Sequence, residues 1–462
     1  MLPRYDRRKL RNCVVHFGPG AFHRAHQAVV FDDLNASDPR WGVTAVSLHS
    51  PDVRDALTPQ DGLYTLALLD TDVNFRVIGT IKEVLVAPES PEAVLARLTA
   101  PEIEIVTLTI TEKGYCLDGE GQLDLLSSDI KADIALPDHP RSAIGFLVAG
   151  LAERFKTNSK PFIAISCDNL VENGRKLGAA VGVLARAQER DPDFLRWLAR
   201  EFITPRTMVD SITPATDDAL RDRVEAALGV RDRWPIQREA FTQWVIERHE
   251  HPGGPDWAAA GVTLTDDVSG FERAKLRVLN ASHSALAYLG LARAHETVRD
   301  AISDPELAAF VRDFMTQDVA PSLQAPAGLD LGAYIEAVLR RFHNPEIRHL
   351  LSQIAWDGSQ KLPNRLFGLI EEAIAAGRPI DRPATIIAAW LRFLRRKAQT
   401  GDKLVDPLAP VLLETAARAL DEAGFDVPLF LSLETVFPPR LAGLEKFREA
   451  LARGYAGLLN QA

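Results

Sequence analysis

The sequence predicts two parts: a doubly wound α/β half over residues 1–268 and an all-helical half over residues 269–462. Three observations predict it. Short apolar runs alternate with helical patterns through the first half, as the strands and crossover helices of a parallel sheet do. A glycine turn follows the first of those runs. Beyond Asp266–Gly270, strand-like runs become scarce and Ala/Leu/Arg/Glu-rich stretches take over, among them 289–302, 366–376 and 412–423.

The elements follow in order. Cys13–Phe17 (CVVHF) is an apolar run that reads as a buried strand, followed by a helix over 24–35 and a second strand over 43–48. The runs 63–69 and 75–86 read as a β-hairpin turning at 70–74. Residues 103–110 and 162–166 read as further strands, with a helical pattern over 142–155 between them. The runs 241–246 and 262–264 close the first half. A length of 462 residues fits two or three domains.

Composition excludes several classes. The formal net charge of −10 argues against nucleic acid as a partner, because phosphate binding needs a basic surface. Cys13, Cys116 and Cys167 are widely spaced and form no C-x-x-C pair, which argues against a disulfide framework or a cysteine zinc site. The amino-terminal segment, Met1 to Lys9, is charged and lacks the apolar core of a signal peptide. No apolar stretch is long enough to span a membrane, so a cytoplasmic location is expected.

Gly18-Pro19-Gly20 stands between the first strand and the first helix. In a dinucleotide-binding turn the first glycine permits the tight turn and the second lets the backbone approach a pyrophosphate. The helix amino terminus then offers free N–H groups to the anion. His23 occupies the place of the usual third glycine, so a plain strand–helix turn is the competing reading. Asp52, after the second strand, is the candidate acceptor for the adenosine ribose hydroxyls, and a carboxylate there favours NAD over NADP. Its alternative is a surface loop aspartate. His23, Arg24 and His26 cluster at the helix start. His-x-x-His finds no third metal ligand, so anion contact or capping is the reading preferred over metal.

Residues 271–290, FERAKLRVLNASHSALAYLG, have a helical pattern ending on Gly290 as a C-cap. On a regular helix Asn280 lies about 140° and His283 about 80° around from Lys275. A desolvated lysine can act as a base toward an alcohol proton. An amide and an imidazole can donate to the oxygen as charge develops. Taken singly, each residue also has an ordinary structural reading as a surface lysine, a helix-bending asparagine or a satisfied core histidine. Together they favour a catalytic set.

These segments resemble the polyol-specific long-chain dehydrogenases, the mannitol 2-dehydrogenase and fructuronate reductase group. The motifs are GPGAFHRAHQ (18–27), QDGLYTL (60–66), IVTLTITEKGY (105–115), SCDNLVENG (166–174), KLRVLNASHSALAYLG (275–290) and NPEIRHLLSQIAWDGSQKLPNR (344–365). The resemblance covers most of the chain. It implies a Rossmann-type N-terminal domain, a helical C-terminal domain with substrate between them, NAD as cofactor and metal-independent chemistry on a secondary alcohol. It implies Lys275 as general acid/base, with Asn280 and His283 as the oxyanion pair. It further implies Asn169, Asp210 and Lys361 as substrate groups, and a monomer or weak oligomer. Gly18, Gly20, Phe22, His23, Arg24 and Asp52 are the expected cofactor contacts.

Gln353 stands where the mannitol enzymes of this group usually carry an arginine, and the segment around it looks more like the fructuronate reductase branch. Lys361 and Arg365 are four apart, so a helix would place both on one face. That pair can bind a substrate carboxylate; the alternative is a surface basic pair. D-mannonate/D-fructuronate interconversion is therefore expected first, and mannitol or arabinitol oxidation second. Ser211 and Arg248 depart from residues usual in the family and alter the expected charge of the site. A nicotinamide-binding sensor would need the glycine turn but not the three helix groups, and a zinc-dependent alcohol dehydrogenase would need metal ligands.

Overall fold

A computed structural model of the chain describes residues 3–250 and 254–460; Met1 and Leu2 of the charged amino-terminal segment lie outside the described residues. The chain divides into two compact units, Met1–Val268 and Ser269–Ala462.

The first unit is built on strands β1 (Val14–Phe17), β2 (Val43–Ser47), β3 (Tyr64–Leu69), β4 (Asn74–Ile78), β5 (Ile81–Val86), β6 (Ile105–Leu108), β7 (Ile163–Ser166), β8 (Thr207–Asp210), β9 (Ile236–Glu239), β10 (Gln243–Glu247) and β11 (Thr263–Thr265). Five of them form a parallel sheet in the order β5-β2-β1-β6-β7. Both faces are covered, which is why its strands read as unbroken apolar runs. Val15, Phe17, Val106, Leu108 and Ala164 pack on one side with Ile144, Leu147, Leu177 and Leu184 of the flanking helices. Val14, Val43, Ala45, Ile105 and Ile165 pack on the other with Phe31, Leu34 and Trp244. Two three-stranded sheets, β4-β3-β9 and β11-β10-β8, complete the unit.

The hairpin differs from expectation. β3 and β4 pair antiparallel as predicted, but residues 81–86 form a separate strand that joins the main sheet parallel to β2. The break falls at Gly79-Thr80, where Gly79 N–H donates to Asp32 and Val43 N–H donates to Thr80 O. The first helix also differs. It is two pieces, Ala21–Ala25 and Gln27–Leu34, broken at His26 (φ −121°, ψ −85°), whose ring Nε2 lies 3.0 Å from Gln243 O.

The second unit is helical throughout its regular elements. Its long helix Asp381–Thr400 buries Ala384, Ile387, Trp390, Leu391 and Leu394 and packs against Ala281–Ala292, Ala409–Ala417 and Glu445–Leu459. Gly358 is required by this packing, since a Cβ there would meet Trp390 Nε1 at 2.4 Å and Tyr288 Oη at 2.6 Å. The expected single helix over 271–290 is instead Val268–Ala274, a wide turn over Lys275–Asn280, and Ala281–Ala292. In that turn Ala281 N–H donates five residues back, to Leu276 O. Gly290 does not end the helix. It lies inside it, where a Cβ would stand 2.7 Å from Leu351 Cδ1 and 3.0 Å from Ala301 Cβ. The stretches 289–302, 366–376 and 412–423 are likewise interrupted, with turns between Ala292 and Val298 and between Ala417 and Ala423 and a wide turn, Pro363–Phe367, before Gly368–Ala375.

Candidate active site

In the first unit the register aligns the strand ends. Phe17 pairs with Val46 and Leu108, and Leu108 pairs with Ser166. The loops after β1, β2, β6 and β7 therefore leave one edge of the sheet, the carboxyl edge at which open α/β sheets bind ligands. Gly18 opens the first loop at φ +86°, and a Cβ on it would stand 2.1 Å from Thr109 O. Gly20 has no such constraint: a Cβ there would meet only Gly18 O at 3.9 Å, so its outer side is open to a ligand. Ala21–Ala25 has only five residues, so anion binding here rests on its unpaired first-turn N–H groups rather than on a long helix dipole. Gly18→Ala is expected to cost about 2–3 kcal/mol through forced positive φ and the clash with Thr109; a thermal-unfolding midpoint equal to wild type would contradict it.

The cluster after the turn divides. Phe22 is half-buried at the loop and stacks on His26 at 5.1 Å. His23 is fully buried and stacks on His16 of β1 with ring centroids 3.3 Å apart. A flat ring thus fills the helix–strand contact that a third glycine usually makes. Burial, first of all, holds His23 well below the usual histidine pKa and His16 at about 3, so both rings are neutral. Arg24 is fully buried too and donates to Trp234 O at 2.9 Å with its guanidinium over the Trp234 ring. Both His23 ring nitrogens and Arg24 Nε and Nη2 are buried without a partner. Asp52 is exposed at the start of Asp52–Leu57, just past β2, and accepts from the Ser50 hydroxyl.

Asn169 lies in the loop after β7, and its neighbour Asp168 locks that loop. The Asp168 carboxylate accepts from Ile110 N–H and Thr111 N–H, both at 3.0 Å, and from Tyr115 Oη at 2.8 Å. Burial raises its pKa against those hydrogen bonds. Asn173 donates to Asp168 O and Thr207 O and accepts from Thr207 N–H, tying this loop to β8. β8 ends on Asp210, which is 4% exposed. Ser211 donates to Phe241 O at 3.1 Å, and Arg248 is exposed beside Asp266 at 3.4 Å. Asp168, Tyr115 and Asn173 were not singled out from the sequence, although two of the motifs contain them.

In the second unit the wide turn changes the geometry of the lysine segment. A turn closed five residues back absorbs one extra residue, so later residues rotate back by about 100° relative to a regular helix. Asn280 then lies one turn above Lys275, about 40° away, and His283 two turns above, about 20° away. The three groups share a narrower face than a regular helix would give them. His283 is buried, its Nε2 has no hydrogen-bond partner, and its ring lies 4.8 Å from Phe342 and 5.1 Å from His349. Burial, then His349, Arg365, Arg341 and Lys361, hold its pKa well below the usual histidine value, so the ring is neutral.

Lys361 and Arg365 are not i,i+4 neighbours on a regular helix, because Gly358–Leu362 runs into the wide turn Pro363–Phe367. Tertiary contacts bring them to His283 all the same. Arg365 Nη1 donates to Asn280 O and Ser284 Oγ, both at 2.9 Å, joining the two wide turns. Lys361 Nζ donates to Ile354 O at 3.2 Å. Both side chains are half-buried, and neither has a carboxylate partner among the described residues. Arg277, on the same wide turn as Lys275, shows the contrast: it pairs with both Glu372 oxygens at 2.6 Å. Gln353 is exposed on Leu351–Ile354. Among the described residues no group of three or more His, Cys, Asp or Glu side chains is placed to hold a metal, and no helix is long and apolar enough to cross a membrane.

A parallel sheet with an open glycine turn, and a helical unit carrying Lys275, Asn280 and a neutral His283, fit a dehydrogenase. Residues 12–259 match the mannitol dehydrogenase Rossmann domain, and residues 267–459 match the mannitol dehydrogenase C-terminal domain. The chain belongs to the mannitol dehydrogenase family. It is 39% identical to the D-mannonate oxidoreductase of Escherichia coli K12, over 99% of this chain and 95% of that protein. It is 37% identical to the mannitol 2-dehydrogenase of Phaeosphaeria nodorum, over 96% of this chain and 79% of that protein. The mannitol 2-dehydrogenase of Pseudomonas fluorescens, solved as a ternary complex with NAD and D-mannitol, superposes with a TM-score of 0.82 at 34% identity, covering 99% of this chain and 94% of that one.

Proposed function

We propose that this chain is an NAD-dependent fructuronate reductase, interconverting D-fructuronate and D-mannonate. The observation that carries the proposal is the pair Lys361 and Arg365, two half-buried cations without a carboxylate partner beside a neutral His283. Burying positive charge is costly unless a counter-charge arrives, and a substrate carboxylate supplies one. The likeness to a D-mannonate oxidoreductase along nearly the whole chain agrees with this.

The cofactor cradle fits NAD. Gly18 and Gly20 leave the backbone open to a pyrophosphate, and Asp52 offers an acceptor to ribose hydroxyls. The nearby Arg54 is committed to Asp55 and Glu89 and is not free to favour a 2′-phosphate. When bound, NAD supplies the hydride acceptor for the alcohol carbon. Lys275 takes the proton of the substrate's secondary hydroxyl during oxidation and returns it during reduction. The Asn280 amide and the His283 ring N–H donate to that oxygen while negative charge develops. On the Rossmann unit we assign Asn169 and Asp210 to polar contacts with the substrate.

A second reading, mannitol 2-dehydrogenase, is favoured by the P. fluorescens neighbour and its bound D-mannitol. Assaying NADH oxidation with D-fructuronate, D-tagaturonate, D-fructose and D-xylulose separates the two. The expected result is a kcat/KM for D-fructuronate at least about tenfold above either neutral ketose, equivalent to one charged hydrogen bond, with activity unaffected by EDTA. A preference for D-fructose or D-xylulose would transfer the assignment to the polyol branch.

A further inference from the structure

We infer that His349 is a specificity-determining residue for this site, contributing its ring nitrogen as a third donor, beside Lys361 and Arg365, to the carboxylate of an aldonate or ketouronate substrate. The inference rests on the carboxylate-binding role proposed for that pair.

Three observations carry it. His349 Nδ1 is buried and has no hydrogen-bond partner. An orphaned buried polar atom costs free energy unless a ligand or water pairs with it. Second, the ring sits edge-on to His283 at 5.1 Å, and His283 Nε2 is a second buried atom without a partner. Two unpaired imidazole nitrogens thus lie on neighbouring rings, with Phe342 against the His283 ring at 4.8 Å. Third, the charged groups that act most strongly on the two rings are basic: Arg365, Arg341 and Lys361 on His283, and Lys361 on His349. With its pKa lowered, mainly by burial, His349 is neutral near pH 7. A neutral ring donates through one nitrogen only, and the buried Nδ1 is unpaired.

Backbone hydrogen bonds hold the His349 segment in place. His349 N–H donates to Ile347 O at 3.0 Å, Val298 N–H donates to His349 O at 2.9 Å, and Leu351 N–H donates to Glu296 O at 3.0 Å. The segment bearing His349 is thereby fixed to the turn that follows the His283 helix.

The test uses the full-length chain with NADH and two variants, His349→Phe and His349→Asn. Phenylalanine keeps a ring against His283 but removes the donor; asparagine restores an amide N–H near the position of Nδ1. His349→Phe is expected to raise KM for D-fructuronate, and the inhibition constant of the unreactive competitor D-gluconate, about tenfold each. Its kcat is expected to stay within about threefold, and His349→Asn to recover most of the loss. A fall in kcat at unchanged KM would mean that His349 only supports the His283 ring, and would overturn the inference. Equal loss in both variants would overturn it too, as would wild-type enzyme that D-gluconate does not inhibit. The D-gluconate constants decide the role of His349 even if the wild-type enzyme prefers a neutral ketose, the result that would instead retire the fructuronate assignment.

Discussion

Replacing Lys275 by alanine is expected to lower kcat about 10³- to 10⁴-fold, or about 4–5.5 kcal/mol of barrier, while NADH binding stays within about twofold. The chemistry needs a group that accepts the hydroxyl proton as hydride leaves carbon. Asn280 cannot accept it at its amide nitrogen, and the buried His283 is held neutral by desolvation first and then by His349, Arg365, Arg341 and Lys361, which disfavours its taking up a proton. Lys275, on the same wide turn as Asn280, is the titratable side chain proposed for that role. The cofactor cradle at Gly18 and Gly20 belongs to the other unit of the chain, so truncating Lys275 should leave it intact. Stopped-flow reduction of D-fructuronate and titration of NADH fluorescence measure the two quantities separately. Partial recovery of turnover by added methylamine is expected for the alanine variant, since the truncated side chain leaves space for a small amine. Turnover within tenfold of wild type would remove Lys275 as the acid/base.

How much of this was legible in the sequence depended on whether the signal was local. β1 and Gly18 could be read because a buried parallel strand is apolar throughout and a positive φ selects glycine. β8 and β9 could not. Thr207-Met208-Val209-Asp210 and Ile236-Gln237-Arg238-Glu239 are short and polar, and they become strands by pairing with β10 and β3. The packing of Arg24 was not legible for a similar reason. Its position next to a glycine turn suggests an anion contact, but Trp234 and Tyr64, distant in sequence, receive its guanidinium. The wide turns left no compositional trace, yet the one at Lys275–Asn280 shifts the candidate residues around the helix. A regular helix would spread Lys275, Asn280 and His283 over about 140°; one extra residue in the turn brings them within about 60°. The types of the candidate groups were therefore readable, while their rotation around the helix, and the presence of His349 and Arg341 beside His283, depended on contacts across the helical unit.

The same contacts set the largest expected effect on specificity. Arg365→Met should lower kcat/KM for D-fructuronate by about 10³-fold, about 4 kcal/mol, and for D-fructose by only about tenfold. The guanidinium has two roles. Nη1 holds Asn280 O and Ser284 Oγ, fixing the wide turn that aims the Asn280 amide; losing that clamp lowers turnover of any substrate. Its remaining donors have no partner among the described residues and are available to a carboxylate in a forked pair. Burial pulls its pKa down to about 10, which leaves it charged at neutral pH. Methionine keeps the apolar stem and removes charge and donors together. The acid-to-neutral selectivity should therefore fall about 10²-fold, and Arg365→Lys, which restores charge without the fork, should recover only part of it. If both substrates lose the same factor, Arg365 acts solely as a brace for Asn280, and the carboxylate must bind elsewhere.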